Sequence, residues 1–170
     1  QKQKGEKQIK RKRLISLVIL VWLHGPGWIC VQAAESKEAL CEKHAAELGI
    51  EGNVSEALTA IRQCIKNAPS RAKSYVVYGN LLRQDNSADA ALKAFDQALK
   101  LQPNSSAAKT GKGAILAEQG NLDAARTILL EALKLNPDPT LAHYQLGMVY
   151  EKQDNLPQAL QQYKEGILSY

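Results

Sequence analysis

The sequence predicts an all-α protein built as a solenoid of about four helix-turn-helix repeats. Ala and Leu abound whereas Phe occurs once. This composition favours helices, because Ala and Leu lose little on entering a helix while aromatic and β-branched residues favour strands. A period of 34 residues runs through the chain, and short polar turns recur at the same spacing. Composition, period and turns together indicate repeated helix pairs.

Small and apolar residues keep the 34-residue period through successive copies. Small residues let two antiparallel helices approach closely, and large ones fill the space around that contact. The columns are Ala45, Gly79, Gly113 and Gly147; Ala57, Ala91, Ala125 and Ala159; Ile61, Phe95, Leu129 and Tyr163; Leu48, Leu82, Leu116 and Tyr150; and Cys64, Ala98, Ala132 and Gly166. They predict the interior of each helix pair.

Polar turns separate the helices of a pair, and prolines separate one pair from the next. Asn and Ser at the end of these turns are good N-cap residues, and proline stops the preceding helix. The predicted turns are Gly52-Asn53, Asn86-Ser87, Gly120-Asn121 and Asp154-Asn155, and the prolines are Pro69, Pro103 and Pro137. Asn53…Glu56 and Asn155…Gln158 also fit the capping-box pattern.

These columns resemble the tetratricopeptide-repeat (TPR) motif, in which small residues, an aromatic and a terminal proline recur over 34 residues. The second repeat matches best, with Tyr75, Tyr78, Gly79, Leu82, Ala91, Phe95, Ala98 and Pro103. The resemblance implies a right-handed TPR solenoid with repeats at 38–71, 72–105, 106–139 and 140–170. The third repeat departs from the pattern at Lys109 and Lys112, and the first at Cys41, His44 and Ala45.

The N-terminal segment has the pattern of a secretory signal peptide. A basic stretch ending at Arg13 precedes the apolar run Leu14–Leu23, and a Gly-Pro-Gly breaker and small residues follow. We expect residues 1–33 to be removed by cleavage after Ala33. The alternative is an uncleaved anchor at residues 14–34 in the inner membrane, the one part of the chain that would contact a membrane. Both predictions place the body outside the cytoplasm, with a bacterial periplasm favoured.

The positive charge is confined to this segment. Residues 1–33 hold seven of the 22 basic and one of the 17 acidic residues, so the body carries fifteen basic and sixteen acidic side chains. A neutral body of mixed sign has no electrostatic footprint for a polyanion, and we expect no nucleic-acid partner.

In the family that the sequence resembles, the first helix of each pair lines a concave groove that holds a peptide or partner helix. That resemblance implies a partner-binding groove for a protein or peptide ligand, held by side-chain pockets and hydrogen bonds. Carried over by position, the groove residues are Lys73, Val76, Asn80 and Arg83; Thr110 and Ala114; and Leu141, Tyr144, Met148 and Glu151. The alternative for each residue is a solvated helix face.

Cys41 and Cys64 occupy columns that, in the family, face each other across the first helix pair. In an oxidising compartment they are candidates for a disulfide; the alternative is two buried thiols that pack as small apolar residues. His44 and His143 have no second ligand at a helical spacing, so we expect no metal site. The chain also lacks a nucleophile motif and a phosphate loop, and we expect neither a cofactor nor enzymatic activity.

The C-terminal repeat leaves apolar residues near Tyr163 and Ile167 without a following helix in this sequence. We expect this end to pair with a second copy or to dock on a partner. The chain is thus interpreted as a protein–protein interaction scaffold, similar to the exported TPR proteins that assist assembly of pili, outer-membrane machinery or cytochromes. The alternative function is a structural subunit of an envelope assembly joined through the solenoid ends.

Overall fold

The computed structural model describes residues 36–135 and 139–169. Within these ranges the chain forms eight helices and no β-strand, so the predicted all-α class is confirmed. The helices are α1 (Lys37–Ile50), α2 (Val54–Asn67), α3 (Ala72–Gln84), α4 (Ala88–Leu101), α5 (Ser106–Glu118), α6 (Leu122–Leu135), α7 (Thr140–Lys152) and α8 (Leu156–Leu168). The predicted signal segment with its cleavage site after Ala33, the anchor at residues 14–34, and Pro137 lie outside the described residues.

The helices pack in consecutive pairs, and each pair packs on the next. The first helices α1, α3, α5 and α7 also contact one another in sequence. No comparable contact joins consecutive second helices in the described ranges. Because the first helices lie closer together than the second helices, the stack curves with its concave side on the first helices.

Each pair closes on a contact between a small residue of the first helix and a large residue of the second. A Cβ atom added at Gly79 would lie 2.8 Å from the Phe95 ring, and one at Gly113 would lie 2.7 Å from Leu129. Gly147 meets the Tyr163 ring in the same way. The contacts confirm the predicted pairing of the glycine and large-residue columns.

The turn within each pair passes through the left-handed region at one fixed position. Gly52 and Gly120 have φ of 85° and 82°, and Asn86 and Asp154 have φ of 57° and 56°. Residues with no Cβ, or with a short polar side chain, are those that adopt this conformation readily. Every predicted turn is therefore confirmed.

The predicted caps are only partly formed. Asn155 accepts a hydrogen bond from Gln158 N–H at 3.4 Å and donates one to the Gln158 side chain at 2.9 Å. Asn53 and Ser87 hold the N-cap position without a side-chain cap. Asn53 instead reaches Glu51, at 3.5 Å, so the predicted Asn53…Glu56 capping box is absent. Ser36 and Ser105 cap α1 and α5, two starts that were not predicted.

A buried carboxylate joins the first pair to the second. Glu42 on α1 is 1% exposed. It accepts hydrogen bonds from Arg71 Nε at 2.6 Å, Arg71 Nη2 at 3.2 Å and Ser74 Oγ at 2.7 Å. The bond to Glu42 raises the pKa of Arg71 above its ordinary value. Three donors on one carboxylate offset the cost of removing it from water.

We expect Gly79→Ala to destabilise the fold by about 1–2 kcal/mol. The substitution gains about 1 kcal/mol of helix propensity, but its methyl group meets the fully buried ring of Phe95, and overpacking costs about 1–3 kcal/mol. Gly147→Ala is the control, because Tyr163 is half-buried and can move aside. Urea unfolding measures both variants, and a Gly79→Ala protein more stable than wild type would contradict the close-approach argument.

We expect Arg71→Ala to cost about 3–5 kcal/mol, because it leaves the buried Glu42 carboxylate with a hydroxyl donor in place of a cation. The matched control is Arg126→Ala, which removes an exposed pair with Asp123 at 3.0 Å and is expected to cost less than about 1 kcal/mol. Denaturant unfolding of both variants gives the comparison. Equal costs would show that burial of Glu42 does not matter.

Candidate functional site

The ten predicted groove residues all lie on first helices, on α3, α5 and α7. Five have exposed side chains, and they fall at the two ends of the set. These are Lys73, Asn80, Leu141, Tyr144 and Glu151. Arg83 and Met148 are half-buried. The concave face is therefore polar along α3 and largely apolar along α7.

The other three predicted residues are buried. Val76 is 9% exposed, and Thr110 and Ala114 are 3% exposed. They are covered because successive first helices pack against one another. Their side chains contribute to a closed floor between α3 and α7, and they are not available as separate pockets for a ligand.

One ion pair crosses the groove from α3 to α5. Arg83 Nη1 lies 3.0 Å from Glu118 Oε1, and both side chains are partly exposed. Arg83 Nε is buried and has no hydrogen-bond acceptor among the described residues. Glu118 was missed from the sequence, although it follows the groove-facing column of α5 by one residue.

Aromatic side chains dominate the other end of the groove. The Tyr144 and Tyr163 rings lie 5.9 Å apart between centroids, and Tyr163 Oη donates a 2.8 Å hydrogen bond to Glu151. Burial, together with this bond and the charge of Glu151, raises the pKa of Tyr163 to about 12. Tyr163 therefore stays a neutral hydrogen-bond donor across the physiological pH range.

The two cysteines of the body lie together in the first pair. Cys41 and Cys64 are joined as a disulfide, with their Cα atoms 5.9 Å apart, a separation within the usual range. The bridge links α1 to α2 and lies beside the core residues of the first repeats.

No arrangement for metal or covalent chemistry is present in the described ranges. No three His, Cys, Asp or Glu side chains there lie close enough to hold a metal ion. His143 Nδ1 is hydrogen-bonded to Gln162 Oε1 at 2.9 Å, and His44 is exposed. None of the eight helices is at once long and apolar enough to cross a bilayer.

The stack of helix pairs defines a TPR solenoid, and structures of TPR proteins resemble it. A thermophilic TPR protein of Thermus thermophilus superposes with a TM-score of 0.72 at 20% identity, covering 79% of this chain and 74% of that one. The Pseudomonas aeruginosa pilF protein gives 0.66 at 20% identity, covering 79% and 63%. MamA of Desulfovibrio magneticus RS-1 gives 0.62 at 23% identity, covering 80% and 77%. At these identities the likeness shows the fold alone.

The family is defined more narrowly by the sequence. Residues 31–167 match the model of the cytochrome c-type biogenesis protein H TPR domain, and the chain belongs to this family. Comparison with curated protein sequences gave no match.

We expect the Cys41–Cys64 disulfide in protein taken from an oxidising compartment. Reduction should raise the intact mass by about two daltons and lower the free energy of unfolding by about 3 kcal/mol, since the bridge closes a loop over a sequence separation of 23. A Cys41→Ser/Cys64→Ser variant is the control and should show neither change. An unchanged mass in wild-type protein would identify two free thiols instead.

Proposed function

We propose that this chain is a protein-binding scaffold of the cell envelope that holds a segment of a partner polypeptide during cytochrome c biogenesis. The family description supplies the process, and the first helices supply the surface. The proposed role is binding, without catalysis.

The distribution of exposed side chains along the concave face carries this proposal. Lys73 and Asn80 are exposed at one end, Leu141 and Tyr144 at the other, and small buried residues close the floor between them. A smooth floor admits a continuous polypeptide, and the ends differ in the side chains they favour. The partner segment is expected to place acidic or polar residues near α3 and apolar residues near α7.

An envelope location is part of the proposal. A Cys41–Cys64 disulfide suits an oxidising compartment, since cytosolic reductants keep such pairs reduced. The N-terminal pattern of residues 1–33 supports export, with the mature protein either free in the periplasm or held at the inner membrane.

The experiment pairs a groove variant with a variant on second helices. Lys73→Glu/Asn80→Ala changes two exposed groove residues, and Lys93→Glu/Gln161→Ala makes matched changes on α4 and α8. Photo-crosslinking from position 80 in the envelope identifies the partner segment, and its affinity is then measured with purified protein. Two contacts worth about 1 kcal/mol each predict a roughly 10- to 30-fold loss in the groove variant.

The biological readout is the amount of haem-containing cytochrome c in the envelope. The groove variant should lower it, and the second-helix variant should leave it at the wild-type level. Equal cytochrome levels in both variants, together with crosslinks from position 80 to other copies of this chain alone, would refute the proposal. That result would favour a structural subunit joined through the solenoid ends.

A further inference from the structure

The C-terminal end of the stack carries an apolar hollow. It has a volume of about 320 Å³ and is lined by Thr140 and Tyr144 of α7 and by Tyr163, Gly166 and Ile167 of α8. Ile167 is 75% exposed and Tyr144 is 51% exposed. The hollow adjoins the groove at Tyr144 but otherwise consists of residues that were not assigned to it.

The same columns are covered in every earlier repeat. The counterparts of Tyr144 are Glu42, Val76 and Thr110, which are all buried, and the counterpart of Tyr163 in the second repeat is Phe95, which is fully buried. In each case the cover is the first helix of the next pair, since α3 packs on α2, α5 on α4 and α7 on α6. A hollow of this shape is therefore filled by a helix at three places in the molecule.

We propose that the hollow is the docking site for an amphipathic helix of another polypeptide, which packs on α7 and α8 as a fifth first helix. The site is separate from the groove, so that a partner can be held at either surface.

The inner interfaces define the chemistry of that helix. Gly111 of α5 lies directly on the Phe95 ring, where no Cβ has room. The next residue, Lys112, pairs with Asp96 at 2.6 Å. One repeat earlier, Arg62 lies 5.8 Å from the centroid of the Tyr78 ring and 3.5 Å from its hydroxyl group. In the fourth repeat these columns hold Tyr163 and Lys164. The docked helix should therefore present a glycine or other small residue to Tyr163, followed by an acidic residue facing Lys164.

A second copy of this chain does not fit the hollow. The first helix that a copy could offer is α1, where Leu40 stands in the column of Ser74, Ala108 and Ala142, each at most 1% exposed. Lys43 and His44 stand where Gly111 and Lys112 do, so α1 would place cations on the Tyr163 ring and against Lys164. Two hollows facing each other would enclose a void. The outer face of α1 thus suits solvent, and the hollow suits a helix of different sequence.

The test uses the full chain and a stapled peptide with the α5 sequence Ser106–Glu118 carrying Lys112→Glu. α5 is the natural cover of an aromatic floor, and the change supplies the carboxylate for Lys164. Fluorescence anisotropy should show binding that is about three- to fivefold tighter than that of the peptide with Lys112, as expected for a partly exposed ion pair. Lys164→Glu in the protein should reverse this preference.

Ile167→Glu places a charge in the hollow and should weaken peptide binding by at least about tenfold. Ile50→Glu is the matched control, at an 84% exposed isoleucine of α1 at the other end of the stack, and should bind normally. Circular dichroism checks that both variants keep their helices. Equal binding by both variants would overturn the proposal.

Two further outcomes would also overturn it, and each has a separate meaning. Loss of peptide binding in Lys73→Glu/Asn80→Ala would place the helix in the groove, a result that favours the proposed function but not this site. Concentration-dependent dimers in sedimentation that disappear in Ile167→Glu would show that a second copy covers the hollow. Retained binding in the groove variant by a monomeric chain supports the proposal, whatever the cytochrome experiment shows.

Discussion

The architecture depends on the close approach of two helices over a residue that has almost no side chain. Phe95 shows the constraint most clearly, because its ring lies between Gly79 of its own pair and Gly111 of the next, and neither position has room for a Cβ atom. The same ring thus sets the spacing within a pair and the spacing between pairs. Since first helices pack this closely from pair to pair, the stack curves toward them, and the concave face follows from local contacts alone.

The fold could be predicted because these contacts leave a periodic record in the sequence. Gly79, Gly113 and Gly147 are 34 residues apart, as are the large residues they meet, and every turn has a Gly, Asn or Asp at the left-handed position. The site could be predicted only in outline. Burial of Val76, Thr110 and Ala114 depends on the distance between first helices, which periodicity does not encode. The Glu42–Arg71 pair was also missed, since its partners are separated by 29 residues and leave no repeated pattern.

The groove and the hollow share one side chain. Tyr144 lies on the concave face and also lines the hollow, where it contacts Tyr163, and Tyr163 is hydrogen-bonded to Glu151 of the groove. A ligand at either surface would therefore restrict the same pair of rings. Two sites that order a common group assist each other's binding when both favour one arrangement of it, and they compete when they favour different ones.

The disulfide has a consequence for how the molecule comes apart. In a stack where each repeat contacts only its neighbours, opening begins at the ends, because an end repeat has one neighbour to lose instead of two. Here the N-terminal end is held by the Cys41–Cys64 bridge and by the Arg71–Glu42 pair, while α8 has exposed apolar residues at its outer end. Local unfolding therefore has a direction, from α8 toward α1. A chain of this kind frays at its binding end and keeps its opposite end intact.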